Sequence, residues 1–278
     1  MTRTIMILPA ITGVWRHKES GCFVGSIEEM WNVDLQKLQR PDLLENKKPR
    51  SINMVQIGKA LNDKKLNPPI KHLFVWNSDI ANCTPDSSNV RDGLKRKDLF
   101  TVVHDTFWTD SCMYADVVLP ADTQLEHTDL HAPYGHYYFS LTQQAIKPLG
   151  ESKSNQDLFR DLAKHMGYKE KCFKESDESM IKNMIDPKHN PLFKGVTYEK
   201  LKKNGWVKGD VNNPRRNYLK TGWPTKDKKI QIYSEDTKKI GLGAYPSYTE
   251  EFKKSEIKKK YPIQIPVSYT HLTLPTKA

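Results

Sequence analysis

Three short apolar runs between Leu73 and Asp122 each end in a polar, acid-bearing loop, and nothing else constrains the fold as strongly. Residues 73–76 run into Asn77, Ser78 and Asp79; a second run ends in His104-Asp105; residues 117–119 lead into Pro120, Ala121 and Asp122. Continuous apolar runs of this length, bounded by turn residues, read as strands buried on both faces. Short helical patterns separate them, with one starting at Pro85-Asp86-Ser87 and a helical turn at residues 109–114. Alternation of this kind predicts parallel β–α–β units in an open α/β sheet flanked by helices. In such sheets ligands sit just outside the carboxyl ends of the strands, so the polar loops are where a nucleotide-like ligand is expected.

Around this block the pattern is thinner. Residues 1–13 predict a short apolar helix stopped by Gly13, and Ser51 is the expected N-cap of a helix through Asn62. A well-patterned helix is expected from Asn155 to Met166, closed by Gly167. Residues 169–217, rich in Lys, Asn and Pro, predict two short helices between long loops. Further strands are expected at residues 230–233 and 262–266. The organisation read from this is an α/β ligand-binding domain over residues 1–168 and an irregular lysine-rich extension over 169–266. Residues 267–278 form a separate tail.

No apolar run approaches the ~18 residues that a membrane-spanning helix needs. The chain carries a net charge of +11, but residues 1–160 hold 19 basic and 19 acidic side chains while 161–265 hold 24 and 14. The surplus is therefore diffuse, in runs such as Lys258-Lys259-Lys260, with no aromatic interleaving or nucleic-acid motif, and reads as a solvated face. Four scattered cysteines, Cys22, Cys83, Cys112 and Cys172, form no C-x-x-C pair and predict neither a disulfide framework nor an iron–sulfur or zinc site. There is no nucleophile elbow or P-loop, and Gly241-Leu242-Gly243 lacks a third glycine. Glu126, His127, Asp129, His131 and His136 resemble a metal cluster in composition only; Pro133 and Gly135 break the helix that such spacing requires, so polar loop contacts are the expectation.

Among the loop residues, Asn77 can bond a ligand amide or phosphate, or simply reverse the chain through an Asx-turn. The helix beginning near Asp86 offers free N–H groups to an anion. Asp105 is suited to accept two N–H bonds from a guanine edge, or the hydroxyls of a ribose. Asp116 is expected to contact backbone amides at a strand start.

Residues 73–79 (LFVWNSD), 98–105 (DLFTVVHD) and 114–127 (YADVVLPADTQLEH) together resemble the molybdopterin oxidoreductases of the dimethyl sulfoxide reductase family. Tyr134-Gly135-His136, residues 148–155 and, more loosely, 8–13 and 229–234 follow the same pattern, so the likeness runs through residues 1–265. The resemblance implies the family's third domain, which grips the guanosine end of one of two molybdopterin guanine dinucleotides that carry molybdenum or tungsten. It implies cofactor contacts by Asn77, His104, Asp105, His127 and Asn155. At His127 and Asn155 relatives often place Lys and Asp, and at His104 Ser or Gln. It further implies an internal fragment of a catalytic subunit, inactive alone and with no catalytic or metal-ligating residue assignable within it. The metal ligand and any 4Fe-4S cluster would lie upstream, and electron-transfer subunits and a small-molecule redox substrate would be the partners. Residues 267–278 resemble translated adapter read-through and are expected to be non-native. The competing readings are an unrelated α/β nucleotide-binding module and a basic nucleic-acid-binding protein. Compartment is open on every reading.

Overall fold

The computed structural model describes residues 2–17, 22, 32–45, 47–132, 135–211, 222–223 and 225–247. Tyr134, the basic run at 258–260, the strand expected at 262–266 and the tail at 267–278 lie outside the described residues. The chain divides into two units, one of residues 1–24 with 213–278 and one of residues 25–212. Among the described residues no helix is long and apolar enough to cross a membrane.

In the first unit, α1 (Thr2–Ile11) is followed by Gly13 at φ 69°, the left-handed position that glycine adopts without steric cost. The Arg3 guanidinium donates to Thr237 Oγ1 at 2.8 Å and to the carbonyls of Ile232 at 2.9 Å and Ala244 at 2.7 Å. The strand expected at 230–233 does not form. Its Ile232 carbonyl is taken by Arg3 instead of a strand partner, and Ile232 and Tyr233 are exposed.

The second unit carries the parallel sheet. Strands β1 (His72–Trp76), β2 (Phe100–Asp105) and β3 (Val117–Pro120) lie in the order β1-β2-β3, with Trp76 opposite His104 and His104 opposite Leu119. The central strand is the most buried: Thr101, Val102, Val103 and His104 are all inside. Alternation of side chains across the pleat gives the sheet two different faces. On one, Val75, Val103 and Cys112 form a core with Leu73 and Val118 at its edge. On the other, the rings of Phe74 and Trp76 meet Phe159 at 5.6 and 5.5 Å.

α2 (Ile57–Asn62), α3 (Ile80–Cys83) and α4 (Ser87–Leu94) build a second cluster from Leu61, Ala81, Val90, Leu94 and Leu99. The helix expected from Ser51 begins later, because Asn53 and not Ser51 caps the preceding turn, its side chain accepting from Val55 N–H. Asp86 precedes α4 at φ 58° without capping it, and accepts from the Asn89 amide at 3.2 Å instead. Phe159 lies on α5 (Asn155–His165), whose cap is Ser154 and whose end is followed by Gly167 at φ 82°.

A second sheet, absent from the sequence expectations, is antiparallel in the order β4-β5-β6. It consists of β4 (Asp129–His131), β5 (Tyr138–Thr142) and β6 (Trp206–Lys208). The β5–β6 pairing joins residues on both sides of position 168. Phe139 and Phe193, both buried with ring centroids 4.8 Å apart, anchor its core. α6 (Asp177–Met184) and α7 (Tyr198–Asn204) are the two short helices expected after 169, and contribute Ile181 and Leu201 to that core. The protein is thus a mixed α/β fold with a parallel three-stranded sheet flanked by helices.

Candidate functional site

The carboxyl ends of the parallel strands open into a cleft of about 480 Å³. Asn77 lines it from the end of β1, His104 to Phe107 from β2, and Ala121 to Gln124 from the loop after β3. His127, Asp129 at the start of β4 and Asn155 at the start of α5 complete the lining. All five residues singled out in the sequence therefore meet in one crevice.

Local geometry explains how each gets there. Asn77 takes φ 52°, a left-handed conformation that asparagine tolerates better than most residues. Its N–H continues the ladder to the His104 carbonyl at 3.1 Å. Its side chain makes no hydrogen bond to another described residue, so the Asx-turn, one of the two alternatives for this residue, is not what holds it. Asp105 Oδ1 accepts from Phe107 N–H at 3.1 Å, which spans the turn and leaves Oδ2 free of described partners. Asn155 is the first residue of α5, set in place by Ser154 Oγ accepting from Asp157 N–H at 3.1 Å.

His127 is held by Asp122, whose Oδ1 lies 3.0 Å from Nδ1. Asp122 is almost fully enclosed, and burial pushes its carboxyl above the usual carboxylate range while His127 draws it back down. Beside it, Glu126 Oε2 accepts from both the N–H and the hydroxyl of Thr123, and Oε1 from Leu149 N–H. The Thr123 amide above all holds the Glu126 carboxyl below its ordinary value of 4.5. Glu126 thus staples the cleft loop to residue 149.

His104 is the most deeply placed member, with 1% of its surface exposed. Its Nδ1 is 3.2 Å from the Leu119 carbonyl, and its Nε2 is buried without a hydrogen-bond partner among the described residues.

Asp122, Thr123, Gln124, Asp129 and the Thr106-Phe107 turn line the cleft but were not singled out as site residues. Asp122 carried the same signal as Asp105, an acid just past a buried strand. The others become neighbours of the cleft only through tertiary packing. Asp116 accepts from Thr101 N–H at 2.7 Å at the far end of the sheet, the backbone contact expected of it. Among the described residues no group of three or more His, Cys, Asp or Glu could hold a metal ion. Asp129 and His136 instead accept from the N–H groups of Leu130 and Tyr138.

The molybdopterin oxidoreductase family model matches residues 2–165. The "Probable oxidoreductase YoaE" of Bacillus subtilis (strain 168) is 42% identical over 252 residues, covering 90% of this chain and 36% of the relative. The dimethyl sulfoxide/trimethylamine N-oxide reductase of Rhodobacter capsulatus is 28% identical over 189 residues, covering 60% of this chain and 23% of the relative. The solved structure of acetylene hydratase from Pelobacter acetylenicus superposes with a TM-score of 0.60 at 25% identity, covering 85% of this chain and 32% of that one. The chain spans about a third or less of the length of each of these relatives. The family match covers more than half of the chain and contains the whole lining of the cleft, and on that ground the chain belongs to the molybdopterin oxidoreductase family.

Proposed function

We propose that this chain is the part of a molybdenum or tungsten oxidoreductase catalytic subunit that grips the guanosine end of a molybdopterin guanine dinucleotide. The observation that carries the reading is the convergence of Asn77, His104, Asp105, His127 and Asn155 on one cleft at the strand ends. The chemistry of the lining fits such a group. An ionised carboxylate only accepts hydrogen bonds, and the free Oδ2 of Asp105 suits the N1–H and amino donors of a guanine edge. His127, oriented by Asp122, and the unpaired N–H groups at the start of α5 suit a pyrophosphate. The buried, unpartnered Nε2 of His104 is a polar atom that a bound ligand would satisfy. The cleft volume also falls within the roughly 300–1,000 Å³ usual for ligand pockets.

When bound, the cofactor supplies two-electron redox chemistry at its metal. This chain's residues bind and orient its nucleotide tail and keep water from it. The remainder of the parent protein would provide the metal ligand, the substrate pocket and any contact with electron-transfer subunits. The test uses the full-length protein that contains this chain. Asp105→Ala should lower both the molybdenum and the releasable guanine nucleotide per protomer, with the melting temperature little changed. Molybdenum and nucleotide contents equal to those of the native protein would overturn the reading.

A further inference from the structure

His104 is unusual among the cleft residues because the fold decides which of its two nitrogens carries the proton. A backbone carbonyl can only accept, so the contact with Leu119 O makes Nδ1 the donor. In the neutral ring Nε2 is then a bare lone pair. The lone pair has no partner among the described residues, and the residue that carries it lines the cleft. Among the described residues two other buried side-chain oxygens lack partners, Thr101 Oγ1 and Ser152 Oγ, and neither residue lines the cleft.

We propose that His104 is a specificity-determining residue whose Nε2 accepts a hydrogen bond from an N–H or O–H donor of the nucleoside bound in the cleft. This rests on the guanosine reading above and deepens it. A ring presented in this tautomer rejects carbonyl and phosphate oxygens, since two acceptors repel. It therefore sorts ligands by where they carry donors, whereas a serine or glutamine at the same place could serve in either sense. The donor on the ligand is a base N–H or a ribose hydroxyl, and analogues lacking one or the other separate the two sources.

The experiment titrates the full chain calorimetrically with guanosine 5′-monophosphate and with its 2′-deoxy and 1-methyl forms, and with inosine 5′-monophosphate. Native protein, His104→Leu and His104→Gln are compared. At least one analogue should bind the native chain roughly three- to tenfold more weakly, as one lost hydrogen bond requires. That loss should persist in His104→Gln, which keeps an acceptor, and vanish in His104→Leu. Nitrogen-15 spectra of the ligand-free chain should show a protonated Nδ1 and a bare Nε2 in His104, a readout that needs no variant to fold. A protonated Nε2 overturns the proposal, as do analogue losses of the same size in the native chain and in His104→Leu. Absence of any guanosine monophosphate binding overturns the guanosine reading and this inference with it. Binding that is indifferent to His104 overturns only the inference.

Discussion

The glycine at position 93 gives a stringent test of how the helices behind the parallel sheet are packed. A Cβ built on Gly93 would lie 2.5 Å from Leu61 Cβ and 3.0 Å from Leu61 Cδ1, where carbon contacts normally sit at ~3.5–4.0 Å. Leu61 cannot move aside, being 1% exposed among Ala81, Val90, Leu94 and Leu99. Across the same contact a Cβ on Gly58 would meet Val90 N at 3.0 Å, so α2 and α4 approach through a glycine on each. Gly93→Ala must therefore spread the helices, because the position of Leu61 Cβ is fixed by its backbone and not by its rotamer, an overpacking cost of about 1–3 kcal/mol. The better helix propensity of alanine returns at most about 1 kcal/mol, and less near the end of a helix. The net expectation is destabilisation by about 1–2 kcal/mol. In urea, with a slope of ~1–3 kcal/mol per molar, the unfolding midpoint should fall by roughly 0.3–2 M at unchanged slope. Adding Leu61→Ala to Gly93→Ala should cost less than the sum of the two single changes, because it removes Leu61 Cδ1, the contact at 3.0 Å, and leaves room for the helices to shift against the remaining Cβ contact. A Gly93→Ala chain as stable as the native one would refute the packing argument. The result bears on the cleft as well, since this cluster packs against Leu73 of the strand that ends at Asn77.

Two further expectations concern the cleft rim. The Glu126 carboxyl is held below 4.5 in the folded chain, so its stabilising contribution is complete above that value and is lost as pH falls through the lowered folded value. Thermal unfolding followed from pH 6 down to pH 3 should show a shallower decline for Glu126→Gln than for the native chain below about pH 4.5; parallel declines would mean that the staple to Thr123 and Leu149 does not titrate with folding. Ser154→Ala removes the cap that sets Asn155 at the start of α5 and should cost about 1 kcal/mol in the same measurement, with Ser154→Asp restoring most of it; an unchanged melting temperature would remove the cap from the account of how Asn155 is placed.

The parallel half of the molecule was legible because its signals are local. Runs such as Leu73 to Trp76 are apolar throughout, too short for an ordinary helix, and bounded by residues that stop strands. The acid and amide at their tips then follow from the strand assignment, which is why Asn77 and Asp105 stand out in the sequence, whereas His104 and His127 were pointed to only by the family resemblance. The helix that starts at Asn155 was legible from its pattern, but Asn155 became a site candidate only through the family resemblance, and Ser154, the residue that positions it, was passed over. The antiparallel sheet was not legible. β4 and β6 are three residues each, too short to display alternation, and β5 finds β6 more than sixty positions along the chain. Residues 230–233 erred in the opposite direction, since alternating Ile-Gln-Ile-Tyr satisfies a strand pattern but its backbone is claimed by Arg3.

By itself, then, the order of residues determined that three strands would present polar tips on one edge, although burial on both faces, expected for all three, holds only for the central β2 because β1 and β3 are the sheet's edges. That outcome needs only solvent-driven burial and the rule that loops begin where apolar runs stop. Tertiary structure alone decided that Asp122 would be enclosed beside His127, and that Nδ1 of His104 would face a backbone carbonyl while Nε2 finds no partner among the described residues. Both depend on groups brought close by packing, Lys153 and the α5 start for the first, and the Leu119 carbonyl on a neighbouring strand for the second. Hydrogen-bond partners and desolvation act over a few ångströms in space, a distance that separation along the chain does not encode.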